Sequence, residues 1–134
     1  MGDYRDLAFY QKARQVIQGC DHLIKAWPKS MQAQEIGRQM FRSATSVGAN
    51  IAEGHGRYEG NEYVRYLVIA QASANETDHW LNIALDISLG PEEKIRSLIA
   101  LNLEVRKMLS ATIKTIRSKS KSIRDEQGEY VTEK

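Results

Sequence analysis

The stretch that decides the fold runs Arg42-Ser-Ala-Thr-Ser-Val-Gly-Ala-Asn-Ile-Ala-Glu-Gly54, continues through His-Gly56-Arg-Tyr-Glu-Gly and ends in Asn-Glu-Tyr-Val-Arg-Tyr-Leu67. Its first half is rich in small residues, which predicts a helix that another helix crosses closely. Gly48 lies inside this pattern, where glycine costs about 1 kcal/mol of helix propensity relative to alanine, so we expect a close helix crossing there that a side chain would block. Gly54 and Gly56 predict a helix break with positive φ. We interpret the stretch as the corner between two helices.

Outward from this corner, apolar residues recur three and four positions apart along four segments, which is typical of amphipathic helices. The predicted helices cover residues 4–27, 31–53, 59–89 and a last segment from Pro91 to the serine and lysine run at 118–122. Asp3 is the expected N-cap of the first helix. Because short loops join long helices, we predict an all-α fold, an antiparallel up-down-up-down four-helix bundle.

The length of 134 residues suits one domain with a single buried core. We assign residues 1–124 to the bundle and residues 125–134 to an acidic C-terminal tail, which we expect to be flexible. Cys20 is the only cysteine and occupies an apolar helical position, which predicts an inert core thiol in a reducing compartment. No apolar run approaches the ~20 residues that span a bilayer, so we expect a cytoplasmic protein without a membrane partner.

Charge is distributed unevenly along the chain. Residues 94–124 include nine bases and one acid, giving that segment +8, and since the whole chain carries +2 the rest must carry −6. At 100° per residue, most of these bases form two adjacent rows on the predicted fourth helix. One row contains Arg96, Lys107, Lys114 and Lys121, and the other contains Arg106, Arg117 and Arg124. Together they predict a basic face about 40 Å long.

Such a face could neutralise several phosphates of a nucleic-acid backbone. The candidate nucleic-acid-binding residues are Arg96, Arg106, Lys107, Lys114, Arg117, Lys119, Lys121 and Arg124. An equally weighted alternative is a solvated face that is neutralised by acids of a neighbouring helix, another subunit or the tail. No row of aromatic residues accompanies the bases, so base stacking is not indicated, and any binding to RNA or DNA should depend weakly on sequence.

Catalytic and metal sites were tested against the chemistry they require. Glu76 and His79 form the Glu-x-x-His pair that ferritin-like bundles use twice to hold two metals. Neither His22 nor His55 has a glutamate three positions earlier, so a second pair is missing. The glycines at 54–60 match no phosphate-loop pattern, and no serine has the sequence context of an activated nucleophile. We therefore predict no metal, no cofactor and no enzymatic activity.

Six polar or charged residues fall close to the apolar seams of the second and third helices: Arg42, Asn50, Glu53, Glu62, Arg65 and Glu76. Burying such groups without partners would cost several kcal/mol. We therefore favour a network of ion pairs and hydrogen bonds that fixes the helix register, over the alternative of a ligand site.

Several of these segments resemble one protein family. The segments are Asp6-Leu-Ala-Phe-Tyr-Gln-Lys-Ala13, Arg42 to Gly54, Gly56-Arg57 and Ala70-Gln-Ala-Ser-Ala-Asn-Glu76, and they resemble the four-helix-bundle proteins encoded in 23S rRNA intervening sequences. The similarity covers about the first 115 residues. Its signature positions here are Arg42, Asn50, Glu53, Gly54, Gly56 and Arg57, for which we expect a structural role at the bundle corner or between subunits.

The resemblance implies a ring-like homopentamer and supplies no catalytic residue. The family is also similar to the accessory variability proteins of diversity-generating retroelements, basic pentamers that associate with a reverse transcriptase and its RNA. Expected partners are therefore the chain itself, nucleic acid with RNA favoured, and a reverse transcriptase. The alternative is a structural or protein-interaction scaffold. Ala72-Ser73 replaces the more usual Gly-Ser, and the basic run and acidic tail extend beyond the shared region.

Overall fold

The structure is a computed structural model that describes the backbone of residues 2–57 and 60–126 and the side chains up to residue 121. A short 3-10 helix, Tyr4–Asp6, is followed by α1 (Ala8–Lys25), α2 (Met31–His55), α3 (Gly60–Asp86) and α4 (Glu92–Glu126). The residues in these ranges form no strand. The predicted all-α class is confirmed.

The four helices pack in the cyclic order α1, α2, α3, α4, and each contacts its two neighbours in that order. Arg42 of α2 pairs with Glu76 of α3. Further along α2, Gly54 meets Tyr66, which lies earlier on α3, so the two helices run antiparallel. This arrangement is the up-down-up-down bundle that the short loops predict.

The first helix differs from its prediction at the N-terminus. The Asp3 carboxylate accepts a hydrogen bond from the Arg5 backbone N–H at 2.8 Å, so it caps the 3-10 turn and not α1. Leu7 is extended, with φ −70° and ψ 130°, and interrupts the helical path before α1 begins. The prediction of one continuous helix from Tyr4 is therefore wrong, although the predicted capping residue does cap a helical turn.

The corner between α2 and α3 also differs in detail from the prediction. A Cβ added to Gly48 would lie 3.5 Å from Ile17 Cδ1, which is ordinary contact, so the prediction that a side chain would be blocked there is wrong. The close approach occurs at Gly54, where an added Cβ would lie 2.7 Å from Tyr66 Cβ. Gly54 is helical, and the helix ends at Gly56 with φ −68°, so the predicted break occurs at the second glycine only and without positive φ.

The end of α3 shows where left-handed backbone is used. Helix α3 stops at Asp86, earlier than the predicted Leu89, because Ser88 adopts φ 61°. The Leu89 N–H then donates to the Ala84 carbonyl at 2.8 Å, a bond that closes the helix end in the Schellman manner. Gly90, with φ 105°, turns the chain into α4.

The core lies between all four helices and includes polar groups that have partners. Asn102 of α4 is 1% exposed and donates from Nδ2 to the Ala74 carbonyl of α3 at 2.9 Å. Ser43 and Thr77, both fully buried, join α2 to α3 through a 2.8 Å hydroxyl contact. Cys20 is fully buried as predicted, and burial raises the pKa of its thiol to about 12.

The C-terminal part of the chain is a continuation of α4. The helix reaches Glu126, so it includes the first two residues assigned to the tail, and residues 127–134 lie outside the described part of the structure. Within the described ranges, no helix combines the length and the apolar character that a membrane crossing requires.

Candidate nucleic-acid interface

The second half of α4 presents basic side chains to solvent. Lys107, Lys114, Arg117 and Lys121 are all exposed, as are the more remote Arg96 and Lys119. Arg106 is half-buried, and the Arg124 side chain lies outside the described part of the structure. Along the portion of α4 whose side chains are described, Lys107, Lys114, Arg117 and Lys121 form no ion pair with a described acid. These four share one side of α4, where they are available to an anionic ligand.

Two predicted binding residues are engaged within the protein. Arg96 Nε donates to Glu92 Oε2 at 2.8 Å, one turn earlier on α4. Arg106 donates from Nε to Asn75 Oδ1 at 2.8 Å, and its Nη1 lies 3.7 Å from Asp78 Oδ2. Both partners of Arg106 belong to α3, so this side chain joins two helices. Their positive charge is partly neutralised, which makes them weaker candidates than the four bases that have no partner among the described acids.

An open groove of about 440 Å³ runs between α3 and α4. Three of the unpaired bases line it, and the remaining lining residues are polar or apolar without an acid; the lining is Gln71, Ser110, Ile113, Lys114, Arg117, Ser118 and Lys121. Three like charges along one groove repel one another, and a bound anion would relieve that repulsion. The structure thus brings Lys114, Arg117 and Lys121 together and separates Lys107 from the groove lining.

Lys119 occupies a different position around α4. At 100° per residue it lies about 140° from Lys114, on the side of the helix that faces away from α3. It is exposed, but it does not line the groove. Lys119 and Lys114 therefore offer two lysines of equal charge on one helix, of which only one belongs to the groove.

The signature residues lie along the α2/α3 contact, away from the basic groove. Arg42 of α2 pairs with Glu76 of α3 and also donates to Gln39 Oε1 at 2.9 Å. Glu76 accepts a second hydrogen bond from Trp80 Nε1 at 3.0 Å. This cluster ties the middle of α2 to the middle of α3.

A second cluster of hydroxyl and amide groups lies one to two turns further along α2. Asn50 Nδ2 donates to the Ser46 carbonyl at 2.9 Å and to Ser46 Oγ at 3.1 Å. Ser46 Oγ lies 2.9 Å from Ser73 Oγ of α3. Asn50 therefore acts through Ser46, holding the serine that bridges the two helices.

A third cluster surrounds the C-terminus of α2. Arg57 pairs with Glu53 and donates from Nη1 to the Tyr66 hydroxyl at 3.0 Å, with its guanidinium 5.4 Å from the centre of the tyrosine ring. Glu62 and Arg65 form a long pair of 4.0 Å. The six residues thus have protein partners as predicted, but they form separate, largely exposed clusters and not one network.

The Glu-x-x-His pair has no metal-site geometry around it. Glu76 is already bound by Arg42 and Trp80, and the His79 ring packs against the Trp80 ring at 4.7 Å. Among the described residues, no group of three or more His, Cys, Asp or Glu side chains is placed to hold a metal ion.

Sequence reasoning did not single out the neutral polar residues of the groove. Gln71 of α3 donates from Nε2 to Ser110 Oγ of α4, and Ser118 lies two turns further along α4. No motif marks these residues, because Gln71 and Ser110 become neighbours only when two distant helices pack. The helical phase of Ser110 and Ser118 beside the lysines was the one available signal.

The fold and surface define a small antiparallel helical bundle with a basic groove on its fourth helix. Residues 5–111 match the family described as 23S rRNA-intervening sequence protein, so this chain belongs to that family. The crystal structure of a protein of unknown function from the S23 ribosomal protein family of Bacteroides thetaiotaomicron is similar, with a TM-score of 0.70 and 27% identity over 80% of this chain and 99% of that one. No curated protein matches the chain.

The predicted family membership is thereby confirmed, whereas the similarity to retroelement accessory proteins stays a prediction. The family match ends at residue 111, so it includes Lys107 but not Lys114, Arg117 or Lys121. The bases that line the groove consequently belong to a part of α4 that the family match does not cover.

Proposed function

We propose that this protein is a non-enzymatic, homo-oligomeric nucleic-acid-binding protein that contacts the phosphate backbone through α4. The single observation that supports this proposal is a group of four exposed bases on one side of α4 that have no acidic partner among the described residues: Lys107, Lys114, Arg117 and Lys121. Three of them line one groove. A polyanion is the ligand that such a surface favours.

Contact with the phosphate backbone of a nucleic acid explains why bases line the groove and aromatic side chains do not. Lysine and arginine bind phosphate without regard to base sequence, and no aromatic side chain is among the lining residues on which a base could stack. The expected binding is therefore driven by the release of counterions from the nucleic acid. It should weaken steeply as salt concentration rises and depend little on sequence.

A matched pair of charge reversals tests the position of the interface. Lys114→Glu places an acid in the groove, whereas Lys119→Glu makes the same change in net charge on the other side of α4. We expect Lys114→Glu to reduce affinity for duplex RNA or DNA by at least about tenfold more than Lys119→Glu, measured by fluorescence anisotropy at fixed salt. Equal losses in the two variants would contradict a binding site at the groove.

Assembly into a homo-oligomer is the second part of the proposal. Val68 and Ile69 on the outer side of α3 are 38% and 41% exposed, and burial of these side chains against another copy would stabilise an oligomer. Light scattering should give a mass near five times the 15.2 kDa of one chain. A monomeric mass at working concentration would contradict the assembly while leaving nucleic-acid binding to its own test.

The same exposed apolar side chains favour the alternative function, a protein-interaction scaffold whose basic face serves assembly. A reverse transcriptase is the protein partner that the family resemblance suggests. Affinity purification of the tagged chain from its host should recover RNA together with that enzyme. Recovery of neither would favour the scaffold function.

A further inference from the structure

The groove between α3 and α4 contains neutral hydrogen-bonding groups beside its bases. Gln71 Nε2 of α3 donates to Ser110 Oγ of α4, so the two side chains meet at the groove. Because this bond uses the amide donor, Gln71 Oε1 keeps its lone pairs for another donor. The Ser110 hydroxyl keeps its own hydrogen for another acceptor. With the second N–H of Gln71 Nε2, the pair thus offers acceptor and donor groups side by side.

This pair lies next to the positive charges of the groove. Ser110, Lys114, Arg117 and Lys121 follow one another on the same side of α4, over about 16 Å of helix length. A ligand that follows the groove would meet the neutral pair and then the three bases. The lining therefore fits a chain that carries both anionic groups and neutral groups able to donate and accept.

RNA has that chemistry, because each ribose 2′-hydroxyl is a donor and an acceptor close to a phosphate, whereas DNA lacks the hydroxyl. Double-stranded RNA presents these hydroxyls in a wide, shallow minor groove beside rows of phosphates. The absence of aromatic residues from the groove lining favours a duplex over an unpaired strand, since unpaired bases are held chiefly by stacking.

We propose that the groove is selective for double-stranded RNA: Gln71 and Ser110 bind ribose 2′-hydroxyls while Lys114, Arg117 and Lys121 bind the adjacent phosphates. This inference rests on the proposed function and specifies its ligand. The bases supply affinity that RNA and DNA share. The Gln71–Ser110 pair supplies the difference between them.

The test compares three duplexes of one sequence, RNA, DNA and 2′-O-methyl RNA, in anisotropy titrations with the full chain. The methylated duplex removes the hydroxyl donor, so it separates contact with the hydroxyl from recognition of duplex shape. We expect RNA to bind about tenfold more tightly than DNA, which loses both neutral hydrogen bonds. The methylated duplex should bind more weakly than RNA by about threefold or more, because it loses the hydrogen bond to Gln71 Oε1. Methylated RNA that binds as tightly as RNA would overturn the hydroxyl contact.

Variants of the neutral pair locate the selectivity. Combining Gln71→Ala with Ser110→Ala should lower affinity for RNA to the level seen with DNA, and leave DNA affinity and the salt dependence unchanged. Thr115→Ala is the matched control, because Thr115 is exposed on α4 and does not line the groove. Circular dichroism confirms that each variant keeps its helical content.

The outcomes separate the two proposals. Equal, salt-dependent binding of RNA and DNA by the parent protein would overturn the selectivity and leave the proposed function standing. Tighter binding of single-stranded RNA than of its duplex would overturn the duplex preference. Failure to bind any of the duplexes or strands would overturn both proposals.

Discussion

At Gly54 a single missing side chain sets how closely α2 and α3 pack. A methyl group there would lie 2.7 Å from Tyr66 Cβ and 3.3 Å from Tyr63 Cδ1, and the Tyr66 Cβ cannot move without its backbone. At Gly48 a methyl group would make only ordinary contacts with Ile17 and Tyr10. Two buried glycines six residues apart on one helix therefore differ in their tolerance of alanine.

The first prediction follows from that difference. Gly54→Ala should lower the free energy of unfolding by about 1–3 kcal/mol, because it overpacks the helix crossing. Gly48→Ala should leave the free energy of unfolding unchanged or raise it by up to about 1 kcal/mol through helix propensity. Urea unfolding monitored by circular dichroism measures both. A loss of similar size in both variants would contradict the placement of the crossing at Gly54.

Cys20 gives a prediction about pH. Burial raises the pKa of this thiol from its ordinary value of 9.0 to about 12. Between these values the unfolded chain releases the proton and the folded protein keeps it. The contribution of the thiol to stability is therefore fully present below pH 9 and is lost as pH rises toward 12. Between pH 8 and pH 10.5, ionisation of this thiol in the unfolded chain should lower the free energy of unfolding by about 2 kcal/mol.

The control for this prediction is Cys20→Ala, which lacks the thiol but retains every other titratable group of the chain. Urea unfolding of both proteins at several pH values should show their stability difference shrinking as pH rises. A difference that stays constant up to pH 10.5 would show that the thiol does not ionise on unfolding in this range.

At the level of the helices, the α2/α3 contact depends on buried hydroxyl groups as well as on apolar packing. Ser43 Oγ lies within hydrogen-bonding distance of two groups, the Met40 carbonyl oxygen and Thr77 Oγ1. Thr77 Oγ1 also lies 2.9 Å from the Ser73 carbonyl oxygen. Removing one hydroxyl leaves its partner buried without its cross-helix bond, whereas removing both leaves fewer unsatisfied groups.

A double-mutant cycle checks this pairing. Ser43→Ala and Thr77→Val should each destabilise the protein by about 1–2 kcal/mol. The double variant should lose less than the sum, with a coupling of about 0.5–1 kcal/mol. Losses that add without coupling would mean that the two hydroxyls stabilise α2 and α3 independently.

The sequence was sufficient to predict the four helices, because the 3.6-residue period extends over long segments. Pro28 and Pro91 separate two pairs of consecutive helices, and glycines separate α2 from α3. The helix ends were less predictable. Ser88 provides the left-handed residue that ends α3 before the predicted residue 89. The close approach at Gly54 depends on which residue of α3 lies opposite it, here Tyr66. The sequence of α2 alone does not predict that residue.

Part of the candidate site was predictable, because the angular position of each residue on a helix follows from the sequence. Helical phase correctly grouped Lys114, Arg117 and Lys121 on one side of α4, since those positions share a helix. It could not show that Arg106 is engaged by Asn75 and Asp78, because both belong to α3. It also gave no reason to pair Gln71 with Ser110. What the sequence missed in the site arises from contacts between helices.

In the whole molecule, the neutral core and the charged surface are segregated along α4. One side of the helix buries Ile95, Val105 and Leu109, and the other presents lysines and arginines next to α3. The segment 94–124 carries +8 against −6 for the rest of the chain. The small net charge of +2 therefore conceals a strongly polar charge distribution, which orients a nucleic acid toward one side of the bundle.

Phosphate contact through α4 is tested by the salt dependence of duplex binding, measured for the parent and for the variant Lys107→Glu, Lys114→Glu, Lys121→Glu. About four phosphate contacts predict that log affinity falls against log salt concentration with a slope of about −3 to −4. The account predicts this slope for the parent and no measurable binding for the triple variant. A triple variant that binds as tightly as the parent, with the same slope, would contradict it.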